Sequence, residues 1–271
     1  MLSTVHVPEN LQPLFAEAER KVQTFFQDQK FSPSTGTIDI HGSRYVLVRG
    51  ASFSVEFFQL VRKVFGKDAQ SQADIFSSSL LYELAHSVGQ SDAKNFHETM
   101  GLSEPIERLS AGPVHFAHAG WAFVDILPES QPSPDEEFFL VYKHPYSFEC
   151  DAWLEDGADV EHPVCIMNAG YSAGWCQESF GMALEAREIN CRSLQHDDCL
   201  FIMAPPHRIE QRIDEYLAKH SELSTVDKSL AFMPSENIAV NLSPQSAQQD
   251  SAIQQRLLTY ARHLESTQRQ L

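Results

Sequence analysis

The chain has 271 residues, 42% of them hydrophobic, enough to bury one full core as a single main domain with appendages. Its 37 acidic and 20 basic side chains leave a formal charge of -17, which repels a phosphate backbone and excludes direct nucleic-acid binding as an expected activity. No run approaches the ~18 apolar residues that span a bilayer, and MLSTVHVPENLQPLF has neither the basic start nor the apolar core of a secretory signal, so a cytoplasmic protein with no membrane partner is expected. There, five cysteines, an odd number, point to metal binding, catalysis or burial rather than to disulfides.

From Glu9 to Gln29 the apolar positions Leu11, Leu14, Phe15, Val22, Phe25 and Phe26 recur at helical spacing behind Pro8. TIDI and RYVLV flank His41-Gly42 as a β-hairpin with a tight turn. FSVEFFQLVRKVFG and SQADIFSSSLLYELAHSVG predict two helices, each ended by a glycine, with a further short helix from Ala93 to Met100. The aromatic and β-branched content of VHFAHAG, WAFVDIL and EEFFLVYKH then predicts an antiparallel meander, with PESQPSPDE as its loop. PVCIMNAGYSAGWCQESFG predicts a helix entered at Pro163, in which Gly170 and Gly174 allow another backbone to approach. AREINCRS and DCLFIMAPP form a candidate hairpin, and HRIEQRIDEYLAKH a closing helix.

Residues 221–250, rich in Ser, Gln, Asn and Pro, read as a linker. Beyond them Ile253, Leu257, Tyr260, Leu264, Thr267 and Leu271 follow heptad a/d spacing, a coiled-coil-like signalling helix or an amphipathic helix folded back on the domain. The expected fold class is α+β: an antiparallel sheet with flanking helices, a metal-stapled helix and hairpin, and the C-terminal helix. The expected division is 1–50 (N-terminal helix and hairpin, a dimerisation region), 51–220 (the binding domain), 221–250 and 251–271.

EINCRSLQHDDC, residues 188 to 199, carries the chemistry. Zinc takes thiolate, imidazole and carboxylate donors, and a structural site closes with four of them. Cys165, Glu188, Cys191 and Cys199 supply three sulfurs and an oxygen, tying the start of a helix to the two ends of a hairpin. Positions i and i+3 of a regular strand face opposite sides, so Glu188 and Cys191 share a cation only across a bulge or an early turn. His196 and Asp198 are rival donors, burial without a metal is the competing explanation, and Cys150 and Cys176 read as core or spare thiols.

The runs GPVHFAHAGWAFVDILPES, HPYSFECDAW, PVCIMNAGYSAGWC and EINCRSLQHDDCLFIMAPP resemble the sensory module of the phenol- and xylene-responsive sigma-54-dependent activators, which contains a vinyl-4-reductase-type domain. The resemblance spans residues 10–218. It implies zinc held by three Cys and one Glu, falling on Cys165, Glu188, Cys191 and Cys199, and a buried aromatic effector contacted by a histidine, here His115 with His118 as its rival. A neutral imidazole suits a phenolic hydroxyl, donating or accepting. Alternation in EEFFLVYKH places Phe138, Leu140, Tyr142 and His144 on one face. His144 stands where the family's phenol sensors carry a tryptophan, a departure that bears on phenol as the effector. Trp121, Phe123, Tyr171 and Trp175 are candidate walls.

The function expected is therefore a ligand sensor: a homodimer that binds a small aromatic compound and drives an output domain beyond this chain, an ATPase activator, a histidine kinase or a cyclase. Two alternatives stand beside it. One is a zinc enzyme related to vinyl reductases, disfavoured because four protein donors leave no open coordination position. The other is a metal-stapled scaffold with no small-molecule pocket.

Overall fold

The computed structural model describes residues 2–220 and Leu223; the expected linker save Leu223, and the expected heptad helix, lie outside the described residues. In chain order the elements are β1 (Val5–His6), α1 (Gln12–Gln27), β2 (Lys30–Ser32), β3 (Thr37–Ile40), β4 (Ser43–Tyr45), α2 (Val55–Phe65), α3 (Gln70–Met100), α4 (Pro105–His118), β5 (Ala122–Ile126), β6 (Leu140–Ser147), α5 (Phe148–Asp156), α6 (Ile166–Phe180), β7 (Glu185–Asn190), β8 (Cys199–Ala204) and α7 (Ile209–Lys219). The class is α+β, as the sequence predicts. The described residues fall into two compact units, one of residues 2–55, 81–220 and Leu223, the other of Glu56–Leu80. Within the second, Arg62 Nε pairs with Asp74 Oδ1 at 2.6 Å.

The larger unit is built on a five-stranded sheet of order β1-β5-β6-β8-β7, in which β1 runs parallel to β5 and the other pairs are antiparallel. Pairing Leu140 with Met203, Tyr142 with Phe201 and His144 with Cys199 puts these six side chains on one face. The opposite face carries Val141, Leu200, Ile202 and Ala204, and it is covered by Ile209, Ile213 and Tyr216 of α7. Every residue of β8 is buried, which explains why CLFIMA is a continuous apolar run rather than an alternating one.

Helices α4 and α6 pack on each other, α4 also against β5 and α6 against β7. Close helix packing depends on glycine: a Cβ on Gly170 would lie 2.3 Å from Tyr82 O, and one on Gly174 2.0 Å from His86 O, so α6 approaches α3 backbone to backbone.

Four expectations are corrected. VHFAHAG is not a strand but the last turn of α4 and the residues that follow it, in a helix with Pro105 in its first turn and Pro113 inside it. Burial on more than one side, including Leu109, Ala111, Gly112, Val114, His115 and Phe116, hides the helical period. Gly89 does not end a helix either: α3 continues to Met100, absorbing the expected short helix, and a Cβ on Gly89 would lie 2.3 Å from Tyr171 O. The helix predicted from Pro163 starts at Ile166, with Cys165 as its N-cap. The expected hairpin forms around His41 and Gly42, both at positive φ (47° and 80°), but its second strand stops at Tyr45.

Candidate functional site

Four buried cysteines converge where α5, α6 and the β7–β8 hairpin meet: Cys150, Cys165, Cys191 and Cys199, whose Sγ atoms all lie within 4.8 Å of one another. The Cys165–Cys199, Cys150–Cys191 and Cys191–Cys199 separations are 3.6, 3.9 and 3.9 Å. Zinc at ~2.3 Å from each of four sulfurs in a tetrahedron demands sulfur separations of about 3.8 Å, so the cluster fits a metal of that size and softness.

Each sulfur is delivered by local structure. Ser147 caps α5 by accepting from Cys150 N–H, which seats Cys150 in the helix's first turn. Cys165 caps α6 and Cys199 opens β8. Strand β7 changes register between Glu188 and Asn190, the irregularity the spacing of Glu188 and Cys191 requires. Gln195, at φ 66°, turns the chain back toward Cys199.

The surroundings suit thiolates. Ser147 Oγ accepts from Asn168 Nδ2 (2.7 Å) and from Cys150 N–H (3.4 Å), so its own proton is left to donate to Cys165 Sγ, 3.1 Å away. Ser193 Oγ stands 3.0 Å from Cys191 Sγ. The Glu149 carboxylate, wholly buried, accepts from Met167 N–H (2.9 Å) and Asn168 N–H (2.8 Å), closing the first turn of α6. Glu188 Oε2 accepts from Cys165 N–H at 2.8 Å, while its Oε1 is buried with no partner. Burial pushes both carboxyls well above the usual carboxylate range.

Between α4, α6 and the sheet lies a cavity of about 40 Å³ lined by Leu109, Gly112, Pro113, Phe116, Val124, Ile126, Leu140, Tyr142, Tyr171, Ser172, Trp175, Cys176 and Met203. One sheet face thus carries Cys199 of the cluster, then Phe201, then Met203 of the cavity. Gly112 is required for the wall: a Cβ there would lie 2.7 Å from the Trp175 ring, whose Nε1 donates to Arg108 O at 2.9 Å. Tyr142 Oη is buried at the cavity beside Ser172, and burial pushes its phenol well above the ordinary range.

Among the expected ligand-contacting residues, Tyr142, Tyr171 and Trp175 line this cavity. Trp121 sits behind it, 4.7 Å from the Tyr171 ring and 5.6 Å from the Phe116 ring. His144 is wholly buried among Phe116, Tyr142 and Phe201, neither ring nitrogen has a partner, and burial pulls its pKa down to about 3. His115 lies outside the lining. Its Nδ1 is 3.1 Å from Tyr171 Oη, which donates to Asp92 Oδ2 at 2.9 Å. Its Nε2 is buried unpartnered in a nest of Phe25, Phe26, Phe96 and Trp175 rings, and burial lowers its pKa to about 3. His118 stacks on Phe26. Phe123 faces the other way, against His6 and Tyr146.

Phe116, Leu109 and Gly112 escaped the sequence reading because the strand assignment hid their shared helical face. Cys150 escaped it because α5 was not recognised, although Ser147 and Gly157 bracket that helix as N-cap and left-handed C-cap.

No protein-family model matches the sequence, and no curated protein matches it. Among solved structures the chain is similar to the phenol-responsive sensory domain of the transcription activator PoxR, in a crystal structure with phenol, at 18% identity over 78% of this chain and 97% of that one, with a TM-score of 0.61. The two share a fold.

Proposed function

We propose that this chain is a ligand-sensing regulatory domain that takes a small aromatic compound into the cavity between α4, α6 and the sheet. The observation that carries the reading is that cavity, walled by Phe116, Tyr142, Tyr171 and Trp175 on the sheet face that also carries Cys199 of the four-thiol cluster, in a fold shared with a phenol-responsive sensory domain. Apolar walls with a few polar groups are what binds a small ring. Tyr142 Oη, on the cavity wall, and the His144 imidazole, packed on the Tyr142 ring with neither nitrogen paired, are the groups that would supply its hydrogen bonds.

Zinc at the cysteine cluster would fix α5 and α6 to the β7–β8 hairpin and so hold one end of the cavity rigid. Four protein donors would leave no position for water, which supports a structural rather than a catalytic role. The cavity's 40 Å³ falls short of the ~150 Å³ that accommodates benzene in an engineered protein core, so a ring enters only if α4, α6 or the sheet moves. That movement is the signal: an effector shifts an equilibrium by its differential affinity for two shapes. In this reading the domain works as a homodimer, and residues 221–250 and 251–271 carry the change to an output domain such as an ATPase activator, a histidine kinase or a cyclase.

Titration calorimetry of the metal-loaded chain against phenols, methylbenzenes and benzene tests the reading. Saturable heat with at least one ring supports it. A flat response to every ring, with metal bound and the fold intact, leaves the metal-stapled scaffold instead.

A further inference from the structure

We propose that the fourth donor to the cation is Cys150, so that four sulfurs hold the metal and Glu188 acts outside the coordination sphere by positioning Cys165. The inference rests on the zinc reading above and replaces one member of the donor set that sequence spacing suggests. Cys150 comes from α5, an element remote in sequence from the hairpin, yet its sulfur is 3.9 Å from Cys191 Sγ and completes a group of four mutually close atoms. Three edges of that group, 3.6 to 3.9 Å, bracket the ~3.8 Å of a zinc tetrathiolate. Cys150 is wholly buried and its backbone is fixed by the Ser147 cap, so the sulfur is placed by the helix rather than by a mobile loop.

Glu188 is the rival. One of its oxygens already accepts from Cys165 N–H, the contact expected of a residue that orients a ligand. The carboxyl also lies within reach of Cys191 and Cys199, but it is outside the group of four mutually close atoms. A tetrahedral cation has room for one of the two, and a soft fourth thiolate outcompetes a carboxylate for zinc already held by three.

X-ray absorption of the full zinc-loaded chain decides between them. Four sulfur scatterers at ~2.3 Å are expected; three sulfurs with one oxygen at ~2.0–2.2 Å would overturn the proposal while leaving the zinc reading intact. Folded protein that takes up no metal would overturn both. Cobalt substitution gives a second readout. The thiolate-to-cobalt charge-transfer absorption falls by about a quarter in Cys150→Ser, one sulfur of four, and is unchanged in Glu188→Gln. The reverse pattern would assign the fourth position to Glu188. If Cys150→Ser does not fold, the wild-type absorption spectrum carries the test alone.

Discussion

Removing the Phe116 ring tests both the cavity and its capacity to admit an aromatic compound. Phe116 is 2% exposed and packs against Trp121, His144 and Tyr171, with ring centroids 5.6, 5.6 and 4.9 Å away. Phe116→Ala extends the existing 40 Å³ by roughly the volume of a phenyl ring, about 100 Å³, which brings the total near the ~150 Å³ of a benzene-binding cavity. At ~24 cal/mol per Å³ the added void costs about 2.4 kcal/mol, and the lost transfer energy brings the total to about 3–5 kcal/mol. For a domain of this size that lowers Tm by about 10 °C. Benzene at one hundred times its Kd then restores about 2.7 kcal/mol, because it binds the folded state alone. Urea denaturation of wild type and variant, each with and without benzene, measures all four states. A loss under about 1 kcal/mol, or no stabilisation of the variant by benzene, would refute the placement of Phe116 on the cavity wall.

Other substitutions report on neighbouring parts of the structure. Glu149→Ala strands the Met167 and Asn168 N–H groups and should cost about 2–5 kcal/mol in urea denaturation, with Glu149→Gln, which keeps one acceptor, losing less. Gly174→Ala sets a methyl group 2.0 Å from His86 O and should cost about 3 kcal/mol, since two backbones rather than a flexible side chain must part; a neutral result would mean that α3 and α6 are not in contact. His115 has a folded-state pKa near 3 against ~6.5 unfolded, so the unfolded chain takes the proton first and stability is lost as pH falls from 6.5 toward 3. Wild type should therefore lose about 1.6 kcal/mol relative to His115→Gln between pH 6.5 and pH 5, and parallel stability curves for the two proteins would contradict that burial.

Much of the sheet was legible in the sequence because its strands obey simple rules. CLFIMA is apolar throughout and is buried on both faces; AFVDI alternates and is buried at Ala122, Val124 and Ile126 only. The paired positive-φ turn at His41-Gly42 was legible for a similar reason, since few dipeptides tolerate it. The helix α4 was not legible. Its β-branched and aromatic residues mimic a strand, and Pro113 reads as a boundary although the helix runs through it. That one error displaced the cavity, because Leu109, Gly112 and Phe116 share a face only at helical spacing. The cysteine cluster was legible as far as Cys165, Cys191 and Cys199. Cys150 could not be joined to them by spacing, because its place depends on how α5 packs in three dimensions.

Entry of an aromatic ring into the space beside Met203 is what makes this domain a sensor. With methionine methyl groups labelled and the Met203 signal assigned by Met203→Leu, addition of phenol, toluene or benzene to the metal-loaded chain should shift that signal saturably through the ring's magnetic anisotropy, Met203 being on the cavity wall. A Met203 signal that stays fixed across the whole panel, in protein shown to be folded and metal-loaded, would contradict the central claim.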